Sequence, residues 1–127
     1  MKSRIVVAAI MTALVLFTVI MGSRATINIC DKSSDKLEQS LNAAVADDWK
    51  SAQKYSKELK RYWENRRITA LLFANKGEID AVNERITVLS AIADRKNLSE
   101  YEETAAEIAH MLKMLRHEQL ITAESFV

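Results

Sequence analysis

Ile5 to Ser23 reads IVVAAIMTALVLFTVIMGS, 19 residues without a charge. Up to Met21 its only polar side chains are Thr12 and Thr18. As a helix at about 1.5 Å per residue it would be about 28 Å long, close to the ~30 Å hydrocarbon thickness of a bilayer. A core helix of this length in a soluble protein would keep a polar face, and this stretch has none. A cleaved signal peptide fits less well, because its apolar core runs to about 7–15 residues and ends in a small-residue site. Ile20-Met21-Gly22-Ser23-Arg24-Ala25 is a poor version of such a site, and bulky Ile29 before Cys30 disfavours lipoprotein processing. The stretch is therefore expected to be an uncleaved signal-anchor, a single transmembrane helix holding the protein in the cell membrane. Lys2, Arg4 and the terminal amine stand on one side of it, against Arg24 on the other. That excess of cations puts the short N-terminus in the cytoplasm and the remainder of the chain outside it.

Beyond the anchor the composition is that of helices. The 127 residues include no proline and only two glycines, Gly22 and Gly77, whereas the turns of a strand protein lean on both residue types. Setting aside Lys2, Arg4 and Arg24, the remaining 15 basic and 17 acidic side chains nearly cancel, which argues against a nucleic-acid partner. The single Cys30 excludes an internal disulfide and is expected to be accessible just beyond the bilayer.

The periodicity divides the chain into an anchor (1–24), a juxtamembrane linker (25–33) and a helical domain (34–127). Leu37, Leu41, Val45, Ala52, Leu59 and Trp63 recur on one helical face after a cap at Ser34 or Asp35. A second stripe, Ile68, Leu72, Asn75, Ile79, Val82, Ile86, Leu89 and Ala93, would lie nearly opposite the first on one straight helix. The inversion predicts a turn near Trp63 to Arg67, with Gly77 inside the second helix and a local kink or break at Gly77 as the alternative. A third helix opens at Ser99-Glu100-Tyr101-Glu102 and carries Tyr101, Ala105, Ile108, Leu112 and Leu115. The expected fold is all-α: a transmembrane helix followed by an antiparallel three-helix bundle or elongated helical hairpin, with helices at about 34–63, 67–96 and 99–120.

Trp63-Glu64-Asn65, Leu72-Phe73-Ala74, Gly77-Glu78-Ile79-Asp80, the helix end from Leu89 to Asp94 and the tail Glu124-Ser125-Phe126 resemble an uncharacterised family of small bacterial single-pass membrane proteins, a domain of unknown function. The resemblance covers the chain from Trp63 to Val127. It implies an N-terminal transmembrane helix, a helical extracytoplasmic domain and a membrane complex with a multi-pass partner; it supplies no enzymatic activity. Asn75 and Ser125 depart from the histidine and asparagine frequent at those places in the family.

Several side chains are candidates for sites. His110, Met114 and His117 share a helix face, yet two turns separate the histidines by about 10 Å, too far to chelate one ion. Asp48 and Asn75 interrupt apolar stripes and read better as structural polar groups than as a site. Asp47-Asp48, Glu102-Glu103, and Glu78 with Asp80 point apart on a helix and do not form a catalytic carboxylate pair. No phosphate loop or nucleophile elbow is present, so neither catalytic residues nor a cofactor nor a metal is expected. Lys50, Lys54, Lys57 and Arg61, at spacings of four, three and four, form a basic ridge opposite the first stripe. This ridge is the candidate interaction surface. The expected function is a non-enzymatic, membrane-anchored accessory or scaffold protein whose helical domain binds another membrane or envelope protein, with homo-oligomers left open. The alternatives are a sensor or polyanion-binding module outside the cytoplasm and a lysis or cell-division factor.

Overall fold

The computed structural model describes residues 2–125, without the side chains of residues 71–73. The stripe member Leu72, its neighbour Phe73 in the family resemblance and the tail residue Phe126 thus lie outside the described side chains. Four helices follow one another: α1 Lys2–Val45, α2 Trp49–Phe73, α3 Lys76–Arg95 and α4 Leu98–Ser125. α1 packs on α2 and α4, and α3 packs on the same two. Consecutive antiparallel helices thereby close into a four-membered bundle. The all-α class and the long N-terminal apolar helix agree with the sequence. The helix borders do not.

The expected linker at 25–33 is helical and belongs to the bundle. α1 runs unbroken for 44 residues. Its apolar half stands clear of the other helices, while Ser23, Thr26, Cys30, Ser33, Leu37, Ser40 and Ala44 are buried. Those positions alternate steps of three and four, the spacing of a helix–helix seam. Val45, expected in the first stripe, is 59% exposed. The seam escapes a search for large aliphatics because it is built from small residues. The helices that pack on α1 bury large residues: Trp63 and Tyr101 are fully buried, and the Trp49 and Tyr101 rings meet edge-on at 5.6 Å. Two of the seam's hydroxyls bond back along their own helix, Thr26 Oγ1 to Gly22 O at 3.0 Å and Ser40 Oγ to Leu37 O at 2.8 Å. The backbone thus satisfies polar groups that would otherwise cost about 1–3 kcal/mol each when buried.

The expected turn at Trp63 to Arg67 is also absent: α2 passes straight through it. Ala52, Ser56, Leu59, Trp63 and Ala70 continue one buried face. Arg67 occupies the intervening position, half-buried and ion-paired with Asp80 of α3. A charged residue in the seam hid its continuity, and Ile68, which suggested the inversion, is 76% exposed. The reversal lies at Ala74-Asn75. Asn75 Oδ1 accepts from the backbone N–H of Gly77 and of Glu78 at 2.8 and 3.3 Å, capping α3. Gly77 therefore sits in the first turn of α3 and not inside a longer helix. From Ile79 onward the second stripe is as expected: Ile79, Val82, Ile86, Leu89 and Ala93 are all buried. So is the third, Tyr101, Ala105, Ile108, Leu112 and Leu115. Asn97 starts α4 instead of Ser99, its Oδ1 accepting from Glu100 N at 3.2 Å, and α4 continues past Leu120 to Ser125.

The two tight turns at the far end each place a non-glycine residue in the left-handed region, Asp47 at φ 60° and Lys96 at φ 57°. Asp47 gains from its side chain, whose Oδ1 accepts from Trp49 Nε1 at 2.9 Å. Lys96 ends α3 with no such bond among the described residues, where glycine is the favoured residue. Lys96→Gly is expected to stabilise the bundle by about 1 kcal/mol, measured as a raised midpoint in chemical denaturation; an unchanged or lowered midpoint contradicts it.

Candidate functional site

α2 turns Ala52, Ser56, Leu59 and Trp63 inward, and the same periodicity turns Lys50, Lys54, Lys57 and Arg61 outward. All four are exposed, and among the described residues none is in an ion pair. The ridge extends over 12 residues, about 17 Å of helix. Lys54 Nζ lies 5.8 Å from the Tyr55 ring, a loose cation–π contact that leaves its charge in solvent. Four unneutralised cations on a rigid helix form a surface suited to an anionic partner.

The other sequence candidates separate into structural parts. Asp48 caps α2, accepting from Ser51 N at 3.2 Å. The hydrogen bonds with Ser51 hold its carboxyl below the usual carboxylate range. Asn75 caps α3, so both stripe-interrupting polar residues mark helix starts that periodicity alone did not locate. His110 and Met114 are exposed on α4 and line an apolar groove of about 360 Å³ with Glu78, Val82, Met111 and Leu115. His117 opens instead onto a separate hollow beside Lys113 and Arg116. No cluster of three metal-ligating side chains occurs among the described residues. Glu102 and Glu103 are exposed, and Asp80 is committed to Arg67.

Glu78 does face another carboxylate, though not the one its sequence neighbours suggested. Its partner is Glu118 of α4, 40 residues away and invisible without the helix register. Burial, followed by the Glu118 carboxylate, raises the proton affinity of Glu78 above the ordinary glutamate value. One Glu78 oxygen is buried unpartnered. A raised folded-state pKa means that the folded protein holds this proton more tightly than the unfolded chain. The bundle therefore loses stability as pH rises from about 4.5 through the raised value. Glu118→Gln is expected to stabilise the protein near neutral pH by up to about 0.5 kcal/mol, the scale of an exposed charge pair. It should also flatten the dependence of melting temperature on pH in that window; parallel profiles for variant and parent would contradict the pairing.

Cys30, expected to be accessible, is 1% exposed in the seam between α1 and its neighbours. Burial, with Asp31 beside it, pushes the thiol up to about 12. A thiol so protected is a poor nucleophile at neutral pH. In the folded protein it should resist maleimide or iodoacetamide and react only after denaturation, as read by intact mass; rapid stoichiometric labelling without denaturant contradicts this.

A long, unburied apolar helix continued as one member of a four-helix bundle defines the class: an all-α helical-bundle protein. The chain belongs to the family described as Domain of unknown function (DUF4363), whose model matches residues 20–125. The match begins inside the apolar stretch and takes in the α1 seam, well before the Trp63 start of the resemblance read from the sequence. No curated protein and no solved structure matches the chain.

Proposed function

We propose that this protein is a non-enzymatic, single-pass accessory subunit of the cell membrane, whose helical bundle binds another membrane or envelope protein. The observation that carries the reading is the continuity of α1. The apolar stretch that stands clear of the bundle and the seam that organises it are one helix without a break. A span built that way holds the bundle at a set height, as recognition and positioning require. Lys2 and Arg4 favour a cytoplasmic N-terminus with the bundle outside. The ridge Lys50, Lys54, Lys57 and Arg61 then faces the envelope. At a screening length of about 8 Å in physiological salt, its outer end is too far from the bilayer for strong lipid attraction, so an acidic partner is the better match. The same ridge also supports a second reading, capture of an envelope polyanion.

The experiment is recovery of the full chain from membranes in mild detergent, beside a variant with all four ridge residues changed to glutamine. Exposed substitutions of this kind change stability by less than about 0.5 kcal/mol each, so the bundle should stay folded. A stoichiometric membrane protein recovered with the parent and lost with the variant is the expected result. Recovery of an anionic polymer in its place favours the second reading. Identical recovery by parent and variant at every ionic strength overturns the role of the ridge.

A further inference from the structure

We infer that the end of the bundle nearest the span is itself a lipid-facing surface, seated in the headgroup layer by Ile68 and Ile121 together with Arg24, Arg66 and Lys76. This rests on the membrane-spanning reading of α1. Outside the apolar stretch, the exposed large apolar side chains among the described residues fall at the two ends of the bundle. Val45 and Leu98 are at the far tip, and Ile68, Met114 and Ile121 are toward the span. Ile68 and Ile121 are 76% and 51% exposed on different helices. Neither packs into the core or closes a cap, so the fold alone does not account for them.

The height of these residues follows from the helix register. α2 leaves the tip opposite Val45 and runs back along α1, so Ile68, 19 residues past Trp49, comes opposite Thr26. Arg116 of α4 bonds Asp31 of α1 at 2.8 Å, and Ile121, five residues further on, comes to the same level as Thr26. The apolar run ends at Ser23, about 5 Å below Thr26 at the helical rise. Headgroup layers add about 5–8 Å on each side of the hydrocarbon, and interfacial apolar groups sink about 5–10 Å into that boundary. Both isoleucines therefore lie at the depth where apolar side chains gain from lipid contact.

The charges at this level complement lipid phosphate. Arg24 directly follows the apolar run, Arg66 lies over the Tyr62 ring at 4.6 Å, and Lys76 opens α3 beside the α2–α3 reversal, about a turn deeper than Ile68 by the same register. All three are exposed, and among the described residues none is in an ion pair. Long basic side chains beside apolar groups reach phosphates while their stems stay on apolar surface. Glu78, Glu118 and Glu124 stand at the same end and oppose part of this attraction.

The test uses the full chain in vesicles of phosphatidylcholine and phosphatidylglycerol, with Cys30→Ala as background. A single cysteine bearing an environment-sensitive fluorophore replaces, in turn, Leu14, Ile68, Ile121, Val45 or Leu98. Nitroxide quenchers sit either on the lipid headgroup or midway along the acyl chain. The expected result is quenching of the Leu14 label by the chain probe, quenching of the Ile68 and Ile121 labels by the headgroup probe, and no quenching at Val45 or Leu98. Quenching at Leu14 with labels at 68 and 121 as unquenched as those at 45 and 98 overturns the seating and leaves the span standing. A label at 14 that neither probe quenches removes the span itself, and the seating with it. Circular dichroism of each labelled protein, matching the parent, keeps misfolding from imitating either outcome.

Discussion

The bundle is organised by the contact between a narrow helix face and wide ones. Ser23, Thr26, Cys30, Ser33, Ser40 and Ala44 give α1 little side-chain volume along its seam, and Trp49, Trp63, Tyr101 and Leu59 supply the bulk from other helices. Packing to native density requires that small and large positions face each other, so neither set can be enlarged or reduced independently. The seam also sets where the apolar stretch ends and the bundle begins. Burial starts at Gly22 and Ser23, where the charge-free run gives out. Much else follows from that registration: the level of the α2–α3 reversal, the pairing of Arg116 with Asp31, and the meeting of Glu78 with Glu118.

Polar groups inside this core are managed locally. Thr26, Ser40 and Ser56 return their hydroxyls to carbonyls of the preceding turn. The Tyr101 hydroxyl is directed toward Ser40 and Ser56 without meeting hydrogen-bond geometry, and burial raises its proton affinity. Trp63 Nε1 and Ser33 Oγ are buried and unpartnered. Such groups lower the stability obtainable from so much buried aromatic surface, at about 1–3 kcal/mol for each unsatisfied donor. They also make the seam selective, since a slipped register would bury hydroxyls beside apolar side chains with nothing gained.

Legibility in the sequence tracked how much of each helix face was aliphatic. Ile79 to Ala93 and Tyr101 to Leu115 are filled with Ile, Leu, Val and Ala at regular spacing, and both were readable as buried stripes. The α1 seam was not, because serine and threonine at core positions look like a linker when chain polarity is the guide. The continuity of α2 was hidden by Arg67, whose place in the seam is explained only by Asp80 on another helix. The reversal at Ala74-Asn75 was missed because Asn75 matched the stripe spacing, although asparagine two residues before glycine is a sound cap and turn signal. Of the candidate surface, the basic ridge was fully legible, since one helix suffices to place it. The Glu78–Glu118 pair and the level shared by Ile68 and Ile121 depend on contacts between helices and could not be read from local spacing.

An unbroken α1 also gives the molecule a compass bearing. A helix turns about 100° for each residue. Adding or removing one residue in the stretch before Gly22 would swing the bundle through more than a quarter circle relative to the apolar half of the helix, while changing its height by only about 1.5 Å. Direction is thus far more sensitive than elevation to the length of this helix. A neighbour that also gripped the apolar half would meet one side of the bundle and never another, with no swivel to correct the aim.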